Sequence, residues 1–510
     1  MKKSNNSRTV SAVKNMAFNL AYQIVNTVVN IILPPLIIGK FGSVVNGLIS
    51  TIKSIMSYIQ LVGAGISEST VVSLYKPLAL KDHRSTSAIY NAVGKTFNSA
   101  AALFSVASLL VAFLYPLVVE ENLTYDFVVK IVLVLSISGV SELLAIGKYR
   151  ALLTADQKLY IVSIAQIVGA VGSALLTFVL IKLNFAILHV QLAAAAAYVL
   201  RILILYCYIH KQYTYLDKHV RPDFNAVSKR KSATIHQVTA LIIHGSQTLI
   251  ISRFCGLAEA SVYSVYSLIF AGLNTVLSTV SSAMLASMGN LFATESEQKV
   301  QKIYGVFELG YQILTYTCYI TAMIMIRPFI VLYTRGVTDV EYVRAELVVL
   351  FTIMGLLNCL RTPGVTVIIA KGHYDETKNR AIAEMVICLV GELALVHRFN
   401  MAGVLVGTIL ACLYRTIDVI FYSNHKVMNQ SVIITIRRVF QFAAVLILAV
   451  GIAQRLTIVS SGFISWAFTA AGVAGLSFAV ALSVAFVFDK KTLLIGLDYL
   501  LGMINGAIRR

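Results

Sequence analysis

Charge is scarce in this sequence. Only 13% of its 510 residues are Asp, Glu, Lys or Arg, and 58% are hydrophobic; soluble chains are roughly 25% charged. With a mean hydropathy of +0.80, there is too little charge to coat a water-facing surface of this size. That excludes a string of soluble domains as well as disordered and fibrous classes. Acidic residues are the scarcer kind, 23 against 42 Lys and Arg, for a net charge of +19. In a soluble protein such a balance points to nucleic acid. Here the positive charge is dispersed in short loops between long apolar runs, so nucleic acid is not an expected partner. Cysteine is sparse too. The six (Cys207, Cys255, Cys318, Cys359, Cys388, Cys412) lie in or beside apolar runs and form no CxxC pair, which leaves no disulfide framework and no zinc site.

Catalytic motifs are equally thin. Gly94-Lys95-Thr96 looks like the end of a phosphate-binding loop, but position 89 is Ile89 and the first glycine is missing, so no nucleotide-hydrolysing module is expected. The nine histidines are scattered without HExxH, and no GxSxG stands out. No metal or other cofactor, and no enzymatic activity, is expected.

Long apolar runs are what the chain has. A span needs about 20 mostly apolar residues. By that measure about fourteen are expected: 16–38, 46–65, 97–118, 128–147, 159–181, 186–209, 236–254, 261–286, 306–326, 345–369, 381–397, 402–422, 439–455 and 463–488. The runs are continuous and do not alternate, which favours helices over a barrel. The basic start, residues 1–15, resembles a signal n-region, but the run from Met16 to Ile38 is too long for an h-region and is the first span. The segments 1–15, 66–95, 148–158, 211–234, 291–305, 371–381, 423–438 and 489–510 hold 29 of the 42 basic residues. This bias never reverses, so both termini are expected in the cytoplasm. The outer turns are short, one of them (Val119 to Asn122) is acidic, and none could hold an extracytoplasmic domain.

The halves resemble each other at an offset of about 215 residues. Ile38-Gly39-Lys40-Phe41-Gly42 answers Ile251-Ser252-Arg253-Phe254-Cys255-Gly256. Tyr90-Asn91-Ala92-Val93 answers Tyr304-Gly305-Val306-Phe307, and Leu152 to Gln157 answers Ile368 to His373. The common order predicts two parallel six-helix lobes related by a pseudo-two-fold axis along the membrane normal, with a substrate site between them. The expected organisation is an all-α polytopic membrane protein: an N-terminal lobe (1–210), a basic cytoplasmic linker (211–234), a C-terminal lobe (235–430), and two added helices with a tail (431–510). From Val439 to Phe488 the only charge is Arg455, so the last two spans are expected to be peripheral.

Charges inside spans are costly, about 2.5–3.5 kcal/mol each on insertion scales, and so mark cavities or pairs. They are Lys53, Glu142, Arg201, Glu308, Arg361, Glu384, Glu392, Arg415 and Asp418. Arg415 and Asp418, three apart, can neutralise each other. Glu142, Glu308 and Glu384 lie near cytoplasmic ends, where they can snorkel or cap. Glu308 and Glu392, with Arg415 and Asp418, are candidates for ion coupling or cavity pairing. Lys53, Arg201 and Arg361 have no opposite charge three or four positions away. They are the candidate substrate-binding cations, and they favour an anionic cargo. Arg361 stands beside Pro363, which removes an amide donor and bends the helix; Pro34-Pro35 is placed to do the same in the first span.

Several stretches resemble the polysaccharide (Wzx-type) flippases of the multidrug/oligosaccharidyl-lipid/polysaccharide exporter superfamily. They are Phe41 to Leu48, Leu74-Tyr75-Lys76-Pro77-Leu78, Val262-Tyr263-Ser264-Val265-Tyr266, Ser287-Met288-Gly289-Asn290-Leu291, Arg327-Pro328-Phe329-Ile330, Leu360-Arg361-Thr362-Pro363, Ala370 to Thr377, and Gly403 to Thr408. The resemblance covers about residues 13–430. It implies export of undecaprenyl-diphosphate-linked oligosaccharide across a bacterial plasma membrane, for capsule or O-antigen type assembly, by alternating access. It also implies a coupling ion, proton or sodium, and polymerase or assembly proteins as partners. Where relatives often carry an aspartate in the seventh span, this chain has Gln247, so no coupling role passes to that position. The competing reading is a cation-coupled multidrug or small-molecule antiporter of the same superfamily. A membrane glycosyltransferase or polymerase is disfavoured by the short outer turns.

Overall fold

The structure, a computed structural model, describes residues 2–60, 66–119, 123–224, 231–453 and 461–508. The acidic turn at 120–122, Lys229, Arg230 and Arg455 lie outside the described residues. Within the described residues the chain is helical with no strand. It divides into two compact units, Met1–Ser264 and Val265–Arg510.

The first unit contains α1 (Lys2–Phe41), α2 (Ser43–Gln60), α3 (Ile66–Leu80), α4 (His83–Leu114), α5 (Tyr125–Ser141), α6 (Gly147–Ala155), α7 (Leu159–Lys182), α8 (Ile187–Gln212) and α9 (Lys231–Phe254). The division falls within α10 (Leu257–Thr294). The second unit continues with α11 (Glu297–Tyr333), α12 (Ala345–Leu360), α13 (Thr362–Ala370), α14 (Tyr374–Tyr422), α15 (Ile433–Ala453), α16 (Phe463–Phe488) and α17 (Lys490–Ile508). Every expected span falls on helix wherever it is described, apart from end residues and the break at Arg361 within 345–369. Among the described residues, ten stretches are by themselves long and apolar enough to cross a membrane. The count is below fourteen because α14 carries two spans in one element and because α2, α9 and α15 do not reach that measure as described. α9 carries His236, Gln237, His244 and Gln247, and α2 carries Lys53. Two further helices, α3 and α17, occupy segments that hydropathy leaves outside the membrane.

Local chemistry explains the main breaks. Asp82 caps α4 by accepting from the Ser85 amide at 3.0 Å, supplying a partner for an otherwise orphaned donor. α1 does not end at Pro34-Pro35, whereas the path through Arg361 does break: α12 stops at Leu360 and α13 starts with Pro363 at its second position, where a missing N–H costs nothing. Asn400 (φ 50°, ψ −135°) folds α14 into two arms. These run antiparallel and very close: a Cβ on Gly407 would lie 2.3 Å from the Glu392 amide nitrogen, and one on Gly403 2.2 Å from the Leu395 carbonyl oxygen. Small residues let helix backbones approach this way in a membrane, where dispersion and hydrogen bonds replace the hydrophobic drive.

The internal repeat shows in the backbone. Gly42 and Gly256 both have positive φ (85° and 94°), as do Gln157 and Gly372 (58° and 80°) and Asn184 and Asn400 (60° and 50°). These pairs are 214, 215 and 216 residues apart. Each marks the end of a corresponding helical stretch in the two halves of the sequence.

Segments assigned by charge to one side contact segments assigned to the same side. Asn15 Nδ2 donates to the Gln157 carbonyl at 2.9 Å, Lys371 Nζ to Val427 at 3.1 Å, and Gln301 to Met428 at 2.6 Å. On the other side, Lys40 bonds Asn184 and the Trp466 indole donates to Met325 at 2.9 Å. The core of the first unit centres on Leu48, Ile52, Phe104, Ile131, Leu152 and Val162. In the second, α16 presents Ser477, Ala481 and Ala485 inward and leaves large apolar side chains such as Ile464 and Phe468 exposed.

Candidate functional site

The second unit builds a chain of charges around the break at Arg361. Arg361 Nη1 lies 2.5 Å from Glu384 Oε1, and its Nη2 donates to Asn358 Oδ1 at 2.6 Å. The other oxygen of Glu384 faces Arg415 Nε at 3.5 Å. Arg415 Nη1 lies 2.6 Å from Asp418 Oδ2, and Asp418 also accepts from Arg380. Glu384 comes from the first arm of α14, Arg415 and Asp418 from the second, so the hairpin at Asn400 creates the site. All but Arg380 are largely buried. Three guanidiniums meet two carboxylates, leaving one positive charge in excess.

Arg361 is therefore not unpaired. Its partner is Glu384, 23 residues away, and not Glu308 or Glu392. The expectation overlooked it because helical spacing reveals only neighbours on one helix. Glu384, expected to snorkel or cap, is drawn inward by two guanidiniums. Glu392 lies fully buried further along the first arm of α14, accepting from Thr408 Oγ1 at 2.8 Å and from Cys388 Sγ at 3.1 Å.

Arg201 is likewise paired. Its Nη2 lies 3.7 Å from Glu142 Oε2, and its guanidinium carbon sits 4.9 Å from the Tyr198 ring centroid. Glu142 opens a π-helical turn, Glu142–Ile146, between α5 and α6. The stem of Arg201 lies against Gly169 of α7, where a Cβ would come within 2.2 Å of Arg201 Cδ. The pair is loose, and among the described residues the buried Arg201 Nε has no hydrogen-bond partner, a costly condition for a charged group. Lys53 is exposed on α2 and makes no ion pair among the described residues.

A second network in the same unit went unseen in the sequence. Glu308, expected at a cytoplasmic end as a snorkelling or coupling group, is buried. It lies 2.5 Å from Arg438 Nη1 and accepts from Thr435 Oγ1 at 2.7 Å. Arg438 also holds Asp489, at 2.6 Å, and Thr492 Oγ1 donates to Asp489 at 2.6 Å. α11, α15 and the start of α17 are thus fastened together, so α15 carries a buried ionic anchor as well as a peripheral apolar face. The signal was present: Arg438 borders an expected span at the depth of Glu308. Outside the spans, burial pushes the Asp489 carboxyl up, but the Thr492 hydroxyl and the Arg438 charge outweigh it and hold it below the usual carboxylate range.

Gln247 is buried on α9, and its Nε2 donates to the Ile243 carbonyl at 2.6 Å. Among the described residues no group of His, Cys, Asp and Glu could hold a metal ion.

No family model matches this chain, and no curated protein matches it. Solved structures do. A multidrug resistance MATE family transporter of the MOP superfamily, in an inward-facing conformation, is similar at 11% identity over 81% of this chain and 98% of that one, with a TM-score of 0.66. The lipid II flippase MurJ, in an inward closed conformation, is similar at 11% identity over 92% of this chain and 99% of that one, with a TM-score of 0.61. At such identities the likeness is one of fold, and the fold is that of the MOP transporters.

Proposed function

We propose that this chain is a flippase that moves undecaprenyl-diphosphate-linked oligosaccharide from the inner to the outer leaflet of a bacterial plasma membrane by alternating access, for capsule or O-antigen type polysaccharide. The observation that carries the reading is the excess cation in the Arg361–Glu384–Arg415–Asp418–Arg380 chain. Arg361 and Arg415 balance Glu384 and Asp418, so the surplus enters with the more exposed Arg380; it favours an anionic cargo, which supplies the missing partner. Glu384 has two cationic partners, so Arg361 can pass to a diphosphate while Glu384 stays with Arg415. The guanidinium fork then binds phosphate oxygens two at a time. Arg201, with its unpartnered Nε, and Lys53 are further cations for the same cargo. Glu392 is the carboxylate proposed for coupling to a proton or sodium ion. Polymerase and assembly proteins would receive the product.

The multidrug antiporter shares the fold and remains the competing reading. An organic cation, however, calls for a surplus of carboxylate, and the cluster around Arg361 has none. Deletion of the gene in its source organism separates the two. A flippase loss leaves lipid-linked repeat units accumulated in the inner leaflet and surface polysaccharide missing. Unchanged polysaccharide together with greater sensitivity to cationic drugs would replace this reading with the antiporter.

A further inference from the structure

The first unit contains a second concentration of positive charge that the Arg361 and Arg201 sites do not use. α4, the start of α6, the end of α8 and the segment 213–222 surround a cavity of about 570 Å³, within the range of small-molecule pockets. Lys95, Lys148, Lys218 and Arg221 line it, and among the described residues no Asp or Glu does. Among the described residues none of these four makes an ion pair. Asn98 and His210 add polar groups to the wall.

The wall is built, not draped. Asn91 Nδ2 donates to the carbonyls of Asp217 and Val220, both at 2.9 Å. The Asp217 amide donates to Ser87 Oγ at 3.2 Å, and the Asp223 amide to the Ala88 carbonyl at 3.2 Å. The His83 and Tyr215 rings lie 4.0 Å apart. These contacts hold Lys218 and Arg221 against α4, which carries Lys95. Four like charges gathered around one cavity repel one another, and no carboxylate in the lining relieves them. An anion does.

Lys95 belongs to Gly94-Lys95-Thr96, which lacks the first glycine of a phosphate loop. The structure shows why that motif is not one: α4 is continuous helix there, so no loop amides are free to wrap a phosphate. Gly94 and Lys95 nevertheless line the cavity, and the lysine reaches it by its side chain.

We infer that this cavity binds a phosphate or diphosphate group. Arg221 supplies a fork for paired oxygens, and the lysines supply point charges. The group belongs either to the headgroup of an anionic lipid or to a soluble phosphate compound. The basic bias assigns 66–95, 148–158 and 211–234 to the cytoplasm, so the ligand enters from that face. The inference does not depend on which cargo the chain transports.

The test uses the purified full-length chain and a variant combining Lys95→Gln, Lys218→Gln and Arg221→Gln, with Lys148, which is half-buried, left in place. Titration calorimetry with inorganic pyrophosphate should show saturable, salt-sensitive binding that weakens at least tenfold in the variant and persists with Lys95→Arg and Lys218→Arg; that result assigns a soluble phosphate. Preferential retention of phosphatidylglycerol over phosphatidylcholine in mixed nanodiscs, lost in the variant, assigns a lipid headgroup. Should the triple variant melt early, Arg221→Glu at its exposed position makes the same comparison. Wild-type and variant proteins of equal thermal stability that behave alike in both arms would overturn the inference.

Discussion

Arg201 and Arg415 lie 214 residues apart, are each 7% exposed, and occupy the same place in their own units: the second arm of a helical hairpin, beyond an asparagine of positive φ. Their surroundings differ. Arg415 contacts two carboxylates, Glu384 and Asp418, whereas Arg201 meets Glu142 only loosely and keeps an orphaned Nε. The repeated position is thus held by two carboxylates in one unit and only loosely paired in the other.

The two arginines should separate in mutagenesis. Arg415→Ala should lower thermal stability, by about 1–3 kcal/mol, because it removes a shared partner from two buried carboxylates that Arg361 and Arg380 only partly satisfy. Arg201→Ala should reduce transport of lipid-linked oligosaccharide with little change in melting temperature. Thermal unfolding in detergent and export in cells read the two effects; the reverse pattern would refute the distinction.

Arg361→Ala should cripple export while protein level and membrane insertion persist, and Arg361→Lys should be intermediate. Losing a charge-assisted bond to diphosphate weakens binding by about tenfold or more. The combination Arg361→Ala with Glu384→Gln tests the alternative that the pair is only structural. If export returns in the double variant, Arg361 does not bind the cargo.

The Arg438–Asp489 link predicts a pH dependence. A carboxyl whose pKa is depressed in the folded protein contributes stability above its unfolded value, about 3.9, and loses it as pH falls through the folded value. The melting temperature should therefore drop as the buffer is taken below about pH 4, and Asp489→Asn should flatten that part of the curve. An unaltered acid limb in the variant would show that Asp489 does not contribute.

Gly407→Ala should force apart the two arms of α14, since the added methyl would lie 2.3 Å from backbone at Glu392. Overpacking of this kind costs about 1–3 kcal/mol. Because the arms carry Glu384 and Arg415, export should fall together with stability, whereas Gly451→Ala, with nothing within 4 Å, should leave both unchanged.

Sidedness follows from the basic bias. In a background without the six native cysteines, a cysteine at Leu183 should react with an impermeant reagent in intact cells and one at His219 should not; both positions are exposed. Labelling of position 219 from outside would overturn the orientation.

That the chain is helical and polytopic is legible from residue order alone, because twenty-residue apolar runs with little charge have few other stable states in hydrocarbon. So is the repeat, since left-handed turns at 42 and 256 select glycine locally. The charged positions that need an account were legible too, because each is costly at its depth. The helices α3 and α17 escaped, being too short or too mixed in polarity for a hydropathy window. Which charge meets which is set by the folded chain. Glu384 finds Arg361 and Arg415 because Asn400 folds α14 back on itself, and Glu308 finds Arg438 across 130 residues of chain. Likewise the basic cavity gathers Lys95, Lys148 and Arg221 from three separate segments. Periodicity reads one helix at a time, whereas an ion pair is a distance between helices, set by how glycine-sized gaps let backbones approach.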